Sequence, residues 1–268
     1  IILGTLIFEG IGAVLLAVRF VPQMGWLGGI YCAVFHAVSS FCNAGFDIMG
    51  RDKPFSSLTG YETDVLVNIV IMLLIIIGGI GFIVWSDIIN CRGRFHKFSL
   101  HSKIVVITTA FLLIAGCVGF FIFEGNGNLK GMNVFDRILS AMFMSVTTRT
   151  AGYNTMNLGT LSESGSLLAM ILMLIGGSPG STAGGIKTTT FAAMVLIALS
   201  MSRGNNEITV FKKRFETNIV RQAVSIMGIY LTGVLLGTMI ICALEPYSIK
   251  QVLFAVSYTH LTLPTIRL

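Results

Sequence analysis

The sequence predicts an all-α membrane protein made of tandem, parallel units of span, re-entrant pore loop and span around a pore, with one broken helix. Three observations carry that prediction. The 268-residue chain is 54% hydrophobic and 11% charged, whereas a soluble domain carries about 25% charged residues, and its mean hydropathy is +0.85. Its apolar stretches come in two lengths, one long enough to cross a bilayer and one too short. Two of the short stretches end in similar polar turns, SSFCNAGFD and TTRTAGYNT.

The long stretches are Ile1 to Phe20, Val65 to Trp85, Ile104 to Phe123 and Ile219 to Leu244. Each approaches the about 20 residues that a helix rising ~1.5 Å per residue needs to span, so all four read as plain spans. Leu167 to Met201 is as apolar but is interrupted by GGSPGSTAGGIKTTT, Gly176 to Thr190. Leu27 to Phe41 and Val134 to Val146 are too short to cross. Helices that enter and turn back leave irregular backbone at depth, which is tolerated only against protein or a water-filled cavity. They read as pore loops.

Charge sets the orientation. The connection Asn90 to Lys103 carries Arg92, Arg94, Lys97 and Lys103 without an acid, and Ser202 to Arg221 carries Arg203, Lys212, Lys213, Arg214 and Arg221. By the positive-inside rule both are cytoplasmic. Asp47, Asp52, Glu62, Asp64, Glu124 and Asp136 make the opposite connections more acidic, so these and both re-entrant loops face outside. The net charge of +6 follows from topology; no basic face interleaved with aromatics indicates nucleic acid.

Aligning Ala44-Gly45-Phe46-Asp47 with Ala151-Gly152-Tyr153-Asn154 brings the short helices and flanking spans into register. Residues 1–89 form one unit, 90–103 a cytoplasmic connection, 104–201 the next unit with the loop 176–190, 202–218 a second cytoplasmic connection and 219–257 the start of a further unit. Both complete units point the same way, unlike the halves of inverted-repeat carriers. In the last, LFAVS (Leu253 to Ser257) resembles FHAVS (Phe35 to Ser39), but the position for the turn glycine falls at Leu263. Tyr258 to Leu268 reads as a non-native tail, and the opening IILGTLIF, without Met, is expected to follow a missing N-terminal portion.

A potassium ion in a bilayer needs its hydration oxygens replaced, which rings of backbone carbonyls do without fixed charge. Glycine accepts the dihedrals that turn successive carbonyls toward an axis. Cys42-Asn43-Ala44-Gly45-Phe46 and Arg149-Thr150-Ala151-Gly152-Tyr153 each offer one such glycine after a short helix; an exposed turn after a buried helix is the plain alternative. GSTAGGIKT superficially suggests a phosphate-binding loop, but Ile186 separates Gly185 from Lys187 and no strand precedes it. The five cysteines are scattered without ligand spacing and read as packing residues. No triad or carboxylate pair argues for an enzyme.

FCNAGF, TTRTAGYNT and IGGSPGSTAGGIKTTTF resemble the second filter, third filter and intramembrane loop of the Trk/Ktr/HKT superfamily of potassium transporters. TLIFEGIGAVLL and GGIGFIVWSDI resemble spans of its second repeat. The resemblance covers almost all of residues 1 to 257. It implies four repeats around one pore, with the second, third and start of the fourth in this chain, which alone is not expected to close a pore. Cys42, Asn43, Ala44, Gly45 and Phe46 with Thr148, Thr150, Ala151, Gly152 and Tyr153 become the potassium filter. Oxygens at Asn43, Ala44, Thr150 and Ala151 meet the transported ion.

The same resemblance makes Gly176, Gly177, Ser178, Pro179, Gly180, Ser181, Thr182, Ala183, Gly184, Gly185 and Lys187 a gate loop beneath the filter. Lys187 either bonds loop carbonyls or approaches the cavity and disfavours ion occupancy when the gate is shut, or else snorkels to the cytoplasmic interface. Arg149, which in the lumen would repel cations, is expected to point back and brace the loop, and Glu9 is a bracing partner or a cavity acid. Asn68, His36 and Trp85 read as packing or interface residues. The implied function is potassium uptake across the cytoplasmic membrane, with Na+ or H+ as candidate coupling ion, no covalently bound cofactor, and a multi-pass homodimer on a cytosolic nucleotide-binding regulatory ring. A secondary carrier for another solute with a broken-helix site is the alternative.

Overall fold

The computed structural model describes residues 1–51, 56–203 and 217–259, together with two two-residue strands, Thr209–Val210 and Lys213–Arg214, between the last two segments. The 202–218 connection thus falls largely outside the described residues, as do residues 260–268 of the expected tail. Helices dominate: α1 (Ile2–Met24), α2 (Trp26–Phe41), α3 (Val65–Ile80), α4 (Phe82–Asn90), α5 (Leu100–Phe123), α6 (Val134–Thr147), α7 (Glu163–Leu174), α8 (Thr188–Ser202), α9 (Thr217–Leu244) and α10 (Ile249–Thr259). α10 carries the further unit's short helix two residues past Ser257.

Among the described residues three helices are long and apolar enough to cross a membrane: α1, α5 and the Arg221–Leu244 part of α9. Large apolar side chains on them stand exposed, as with Leu3, Val14, Phe111 and Met239. Burying that surface in lipid is what makes such helices stable in a bilayer. The two complete units repeat one plan, a long helix, a short helix folded back on it, and a return. α2 packs along α1 and α6 along α5. Their cores meet: Leu139, Phe143 and Val146 of α6 lie in one buried cluster with Phe20, Phe41 and Ile71 of the first unit.

Polar groups start the returning helices. Asp64 accepts from the Val67 amide at 3.2 Å and caps α3, and Asn68 Nδ2 holds the turn before it through the Tyr61 and Asp64 carbonyls, both at 2.7 Å. Ser162 caps α7 through the Gly165 amide at 2.9 Å. The buried Glu124 carboxylate accepts from the Ser162 amide at 3.0 Å and its hydroxyl at 2.7 Å. Such caps satisfy amides that a helix start leaves without partners.

One sequence expectation needs correction. Val65 to Trp85 is not a plain span: α3 ends at Ile80 and α4 departs at 92°. Gly81 makes the corner at φ 93°, where a Cβ would lie 2.8 Å from the Pro179 carbonyl oxygen. The helix stops because loop 176–187 occupies its continuation. Phe82 donates its amide to Gly180 at 3.1 Å, outside the helix. Trp85 turns back so that Nε1 donates to the Ile77 carbonyl at 3.0 Å.

Candidate functional site

The two re-entrant helices end at the paired turns. α2 stops at Phe41 and α6 at Thr147, so the negative end of each helix dipole abuts its loop, a field that favours cations. Across the 107-residue offset the loops share a backbone pattern. Asn43 (φ 51°) matches Thr150 (φ 70°), and Gly45 (φ 69°) matches Gly152 (φ 98°). Two left-handed residues flank one alanine in each. Thr150 is β-branched, for which this region costs of order 1–3 kcal/mol. Strain of that kind persists where surrounding structure imposes it, and here the Ala151 amide is tied to the Thr147 carbonyl at 3.0 Å.

The loops touch. A Cβ on Gly45 would lie 2.3 Å from the Ala151 carbonyl oxygen and 2.7 Å from Gly152 Cα, so only glycine permits both the dihedral and the approach. Tyr153, 2% exposed, donates its hydroxyl to the carbonyl of its counterpart Phe46 at 3.1 Å. Phe46 itself is 71% exposed, so the pair is asymmetric. Ser39 Oγ also donates to the Phe46 carbonyl at 2.8 Å, and Thr147 Oγ1 to that of Tyr153. Thr148 is turned away, bonding the Met144 carbonyl at 2.8 Å. Asn43 Oδ1 and Thr150 Oγ1, at matching positions, are buried without a hydrogen-bond partner. Buried oxygens with spare lone pairs are what a dehydrated cation needs.

Cys42 caps α2 and is exposed, with its thiol 4.0 Å from the Glu9 carboxylate. His36 is fully buried, its Nδ1 donating to the Cys32 carbonyl at 2.8 Å and its ring against Phe20, Phe35 and Tyr153. Of the two roles read for it, packing or interface, it takes the packing one, beside the 42–46 turn.

Loop 176–187 is closed at its neck. Gly176 donates to the Ile186 carbonyl at 3.0 Å, Ile186 to Leu174 at 3.1 Å and Thr188 to Gly177 at 3.0 Å. Its tip is seated on the end of α3. The Ser178 amide and hydroxyl reach the Gly79 carbonyl at 3.0 and 2.9 Å, the same hydroxyl contacts the Ile80 carbonyl, and the Thr182 amide reaches Gly78 at 3.4 Å. Carbonyls orphaned by the helix end thus find donors in the loop. Ser181 Oγ closes the turn on the Ser178 carbonyl at 2.6 Å.

Two cations hold the loop from behind. Arg149, 7% exposed, donates Nη2 to the Gly176 carbonyl at 3.3 Å, and so braces the loop. Lys187 Nζ donates to the Ala183 carbonyl at 2.8 Å, a bond within the loop. Thr182 joins the loop to the end of α2 and the turn after it: its hydroxyl donates to the Phe41 carbonyl at 3.0 Å and accepts from Asn43 Nδ2 at 2.8 Å. Sequence reasoning put Asn43 and Thr182 in separate parts of the site, and missed both this bridge and the seat at the end of α3. Gly78-Gly79-Ile80-Gly81 was the available signal for the seat.

Paired re-entrant helices whose turns meet above a broken helix define a multi-pass membrane protein of the cation-transport class. The chain belongs to the TrkH family of cation transport proteins, whose family model matches residues 1–259. It is 41% identical over 240 residues to the potassium/sodium uptake protein NtpJ of Enterococcus hirae, covering 89% of this chain and 52% of that one. Ktr system potassium uptake protein B of Bacillus subtilis is 36% identical over 248 residues, covering 92% and 54%. The crystal structure of the potassium transporter TrkH from Vibrio parahaemolyticus superposes with a TM-score of 0.67 at 17% identity, over 87% of this chain and 49% of that one, a likeness of fold. The chain spans about half the length of the curated relatives it matches. The family moves ions and is not one of enzymes.

Proposed function

We propose that this chain supplies two adjoining walls of a potassium-uptake pore, with residues 42–46 and Thr148, Thr150, Ala151, Gly152 and Tyr153 as filter and residues 176–187 as its gate. The observation that carries this reading is the matched backbone of the two turns, in direct contact at Gly45 and Ala151. Carbonyls beside the left-handed residues, with the spare oxygens of Asn43 and Thr150, replace the water lost by an entering cation. The names of the relatives NtpJ and Ktr protein B favour potassium, with sodium as competitor or coupling ion.

The loop acts below that filter. Its small side chains can be moved at modest packing cost, and its hydrogen bonds to Gly78, Gly79 and Phe41 define a closed seat. Opening lifts it from α3. Regulation enters through cytoplasmic partners: the word system in the relatives' names fits a membrane subunit of a larger assembly, here a homodimer on a nucleotide-binding ring. The test is to express the full reading frame in a host lacking potassium uptake. Growth at low potassium supports the reading, and failure of a well-expressed protein to restore growth contradicts it.

A further inference from the structure

Outside the filter, a cavity of about 450 Å³ opens between the two units. Its walls come from three connections: Thr59 and Glu62 before α3, Asn128 between α5 and α6, and Asn154, Thr155 and Asn157 just after the filter turn. Met156 is the one apolar residue lining it. No part of the filter or gate described above uses it.

Most polar groups here are already committed. Asn128 Oδ1 accepts from Thr160 Oγ1 at 2.7 Å, Asn157 Oδ1 from the Gly159 amide at 2.9 Å, and Thr59 Oγ1 donates to the Ser56 carbonyl at 2.7 Å. Two are not. Thr155 is 2% exposed and its hydroxyl has no hydrogen-bond partner. Among the described residues Glu62 forms no ion pair, and no Lys or Arg lines the cavity. Burial and the nearby Asp136 carboxylate hold the Glu62 carboxyl above its usual pKa. A carboxylate near a second acid, in a cavity also lined by a residue with an idle hydroxyl, is a hard-oxygen donor pair in want of positive charge.

We propose that this cavity binds a hydrated divalent cation of the magnesium class, held by the Glu62 carboxylate and the Thr155 hydroxyl. The volume far exceeds a bare ion, and one carboxylate is too few for a dehydrating calcium cage. Magnesium keeps most of its waters and is commonly bound through one or two carboxylates. Affinity at such a site falls near 10⁻⁴ to 10⁻³ M, roughly as in extracellular cation modules. Occupancy ties the connection before α3 to the segment after the filter. These are already stapled by the Leu58 amide on the Asn154 carbonyl at 3.1 Å and Ser57 Oγ at 3.3 Å from the Asn154 amide.

The test uses the purified full-length protein, Mn2+ as paramagnetic probe and Mg2+ as competitor, and assumes nothing about transport. The parent should bind Mn2+ saturably, release it to Mg2+, and show a thermal midpoint that rises with Mg2+. Glu62→Gln should weaken binding about tenfold or more and Thr155→Val about threefold, for the loss of one ligand group. Neither should lower the midpoint measured in EDTA by more than a few degrees, which separates ligand loss from misfolding. Absence of saturable Mn2+ binding up to about 20 mM, well above the range for such sites, overturns the proposal. So does either variant binding with the parent's constant.

Discussion

Asn43 and Thr182 are 139 residues apart in the chain and hydrogen-bonded at 2.8 Å, Asn43 Nδ2 donating to Thr182 Oγ1, which in turn donates to the Phe41 carbonyl. The bridge runs from the left-handed Asn43, through one hydroxyl, to the tip of loop 176–187. Displacing the loop therefore strips a partner from Asn43 and from the end of α2 at once. The proposed filter and gate thus share a hydrogen-bond network, and such networks act as units.

Thr182→Val keeps the shape and removes the hydroxyl. It leaves Asn43 Nδ2 and the Phe41 carbonyl unpaired, at a cost of about 1–3 kcal/mol for a buried polar group. In the full-length protein we expect both a changed potassium-to-sodium flux ratio and a raised flux in the closed state, while Thr182→Ser retains parental values. Flux assays in proteoliposomes check this. A change in only one of the two quantities would disprove the coupling.

Gly81→Ala attacks the seat. The corner demands φ 93° and leaves 2.8 Å between the added Cβ and the Pro179 carbonyl. Strain of roughly 1–3 kcal/mol is to be shed by moving the loop off α3. The expected result is a lower thermal midpoint with a raised basal flux. Gly60→Ala, at a glycine with open space around it, should change neither.

Lys187→Met removes the donor to the Ala183 carbonyl while keeping the apolar stem. We expect greater flux under conditions that close the parent, read as rubidium uptake. Equal flux would return Lys187 to a packing role.

Glu62 offers a pH test. Its carboxyl pKa is raised on folding, first by burial and then by Asp136, so the native state binds its proton more tightly than the unfolded one. The stability linked to that proton is complete below the unfolded value of about 4.3 and is lost as pH rises through the raised native value. In EDTA, Glu62→Gln should therefore melt higher than the parent at pH 7, and the difference should close near pH 4. Melting curves across that range measure it; a variant melting lower at pH 7 would reverse the sign.

Much of this architecture was legible in residue patterns because a bilayer imposes length and polarity on each element. The short helices ending at Phe41 and Thr147 and the turn alignment of Gly45 with Gly152 followed from apolar run length and one offset. The bend at Gly81 did not. Val65 to Trp85 is apolar throughout, and hydropathy is blind to a loop arriving from 100 residues downstream to occupy the helix's path. Thr182 was legible as a gate-loop residue, but its link to Asn43 depends on how two units pack, and no local pattern encodes that. Glu62 lay in a connection read only for net charge, and Thr155 closed the quoted TTRTAGYNT turn without a role of its own, its idle hydroxyl invisible in the sequence.

On the function proposed above, the turns at Gly45 and Gly152 form the selective part of a potassium path. The most direct measurement is the potassium-to-sodium flux ratio of the full-length protein carrying Gly45→Ser, reconstituted beside the parent. A side chain there meets the Ala151 carbonyl at 2.3 Å and resists φ 69°, so the account predicts that discrimination falls by about tenfold or more, equivalent to about 1.4 kcal/mol, while sodium flux persists. A variant that transports with the parent's ratio would contradict it.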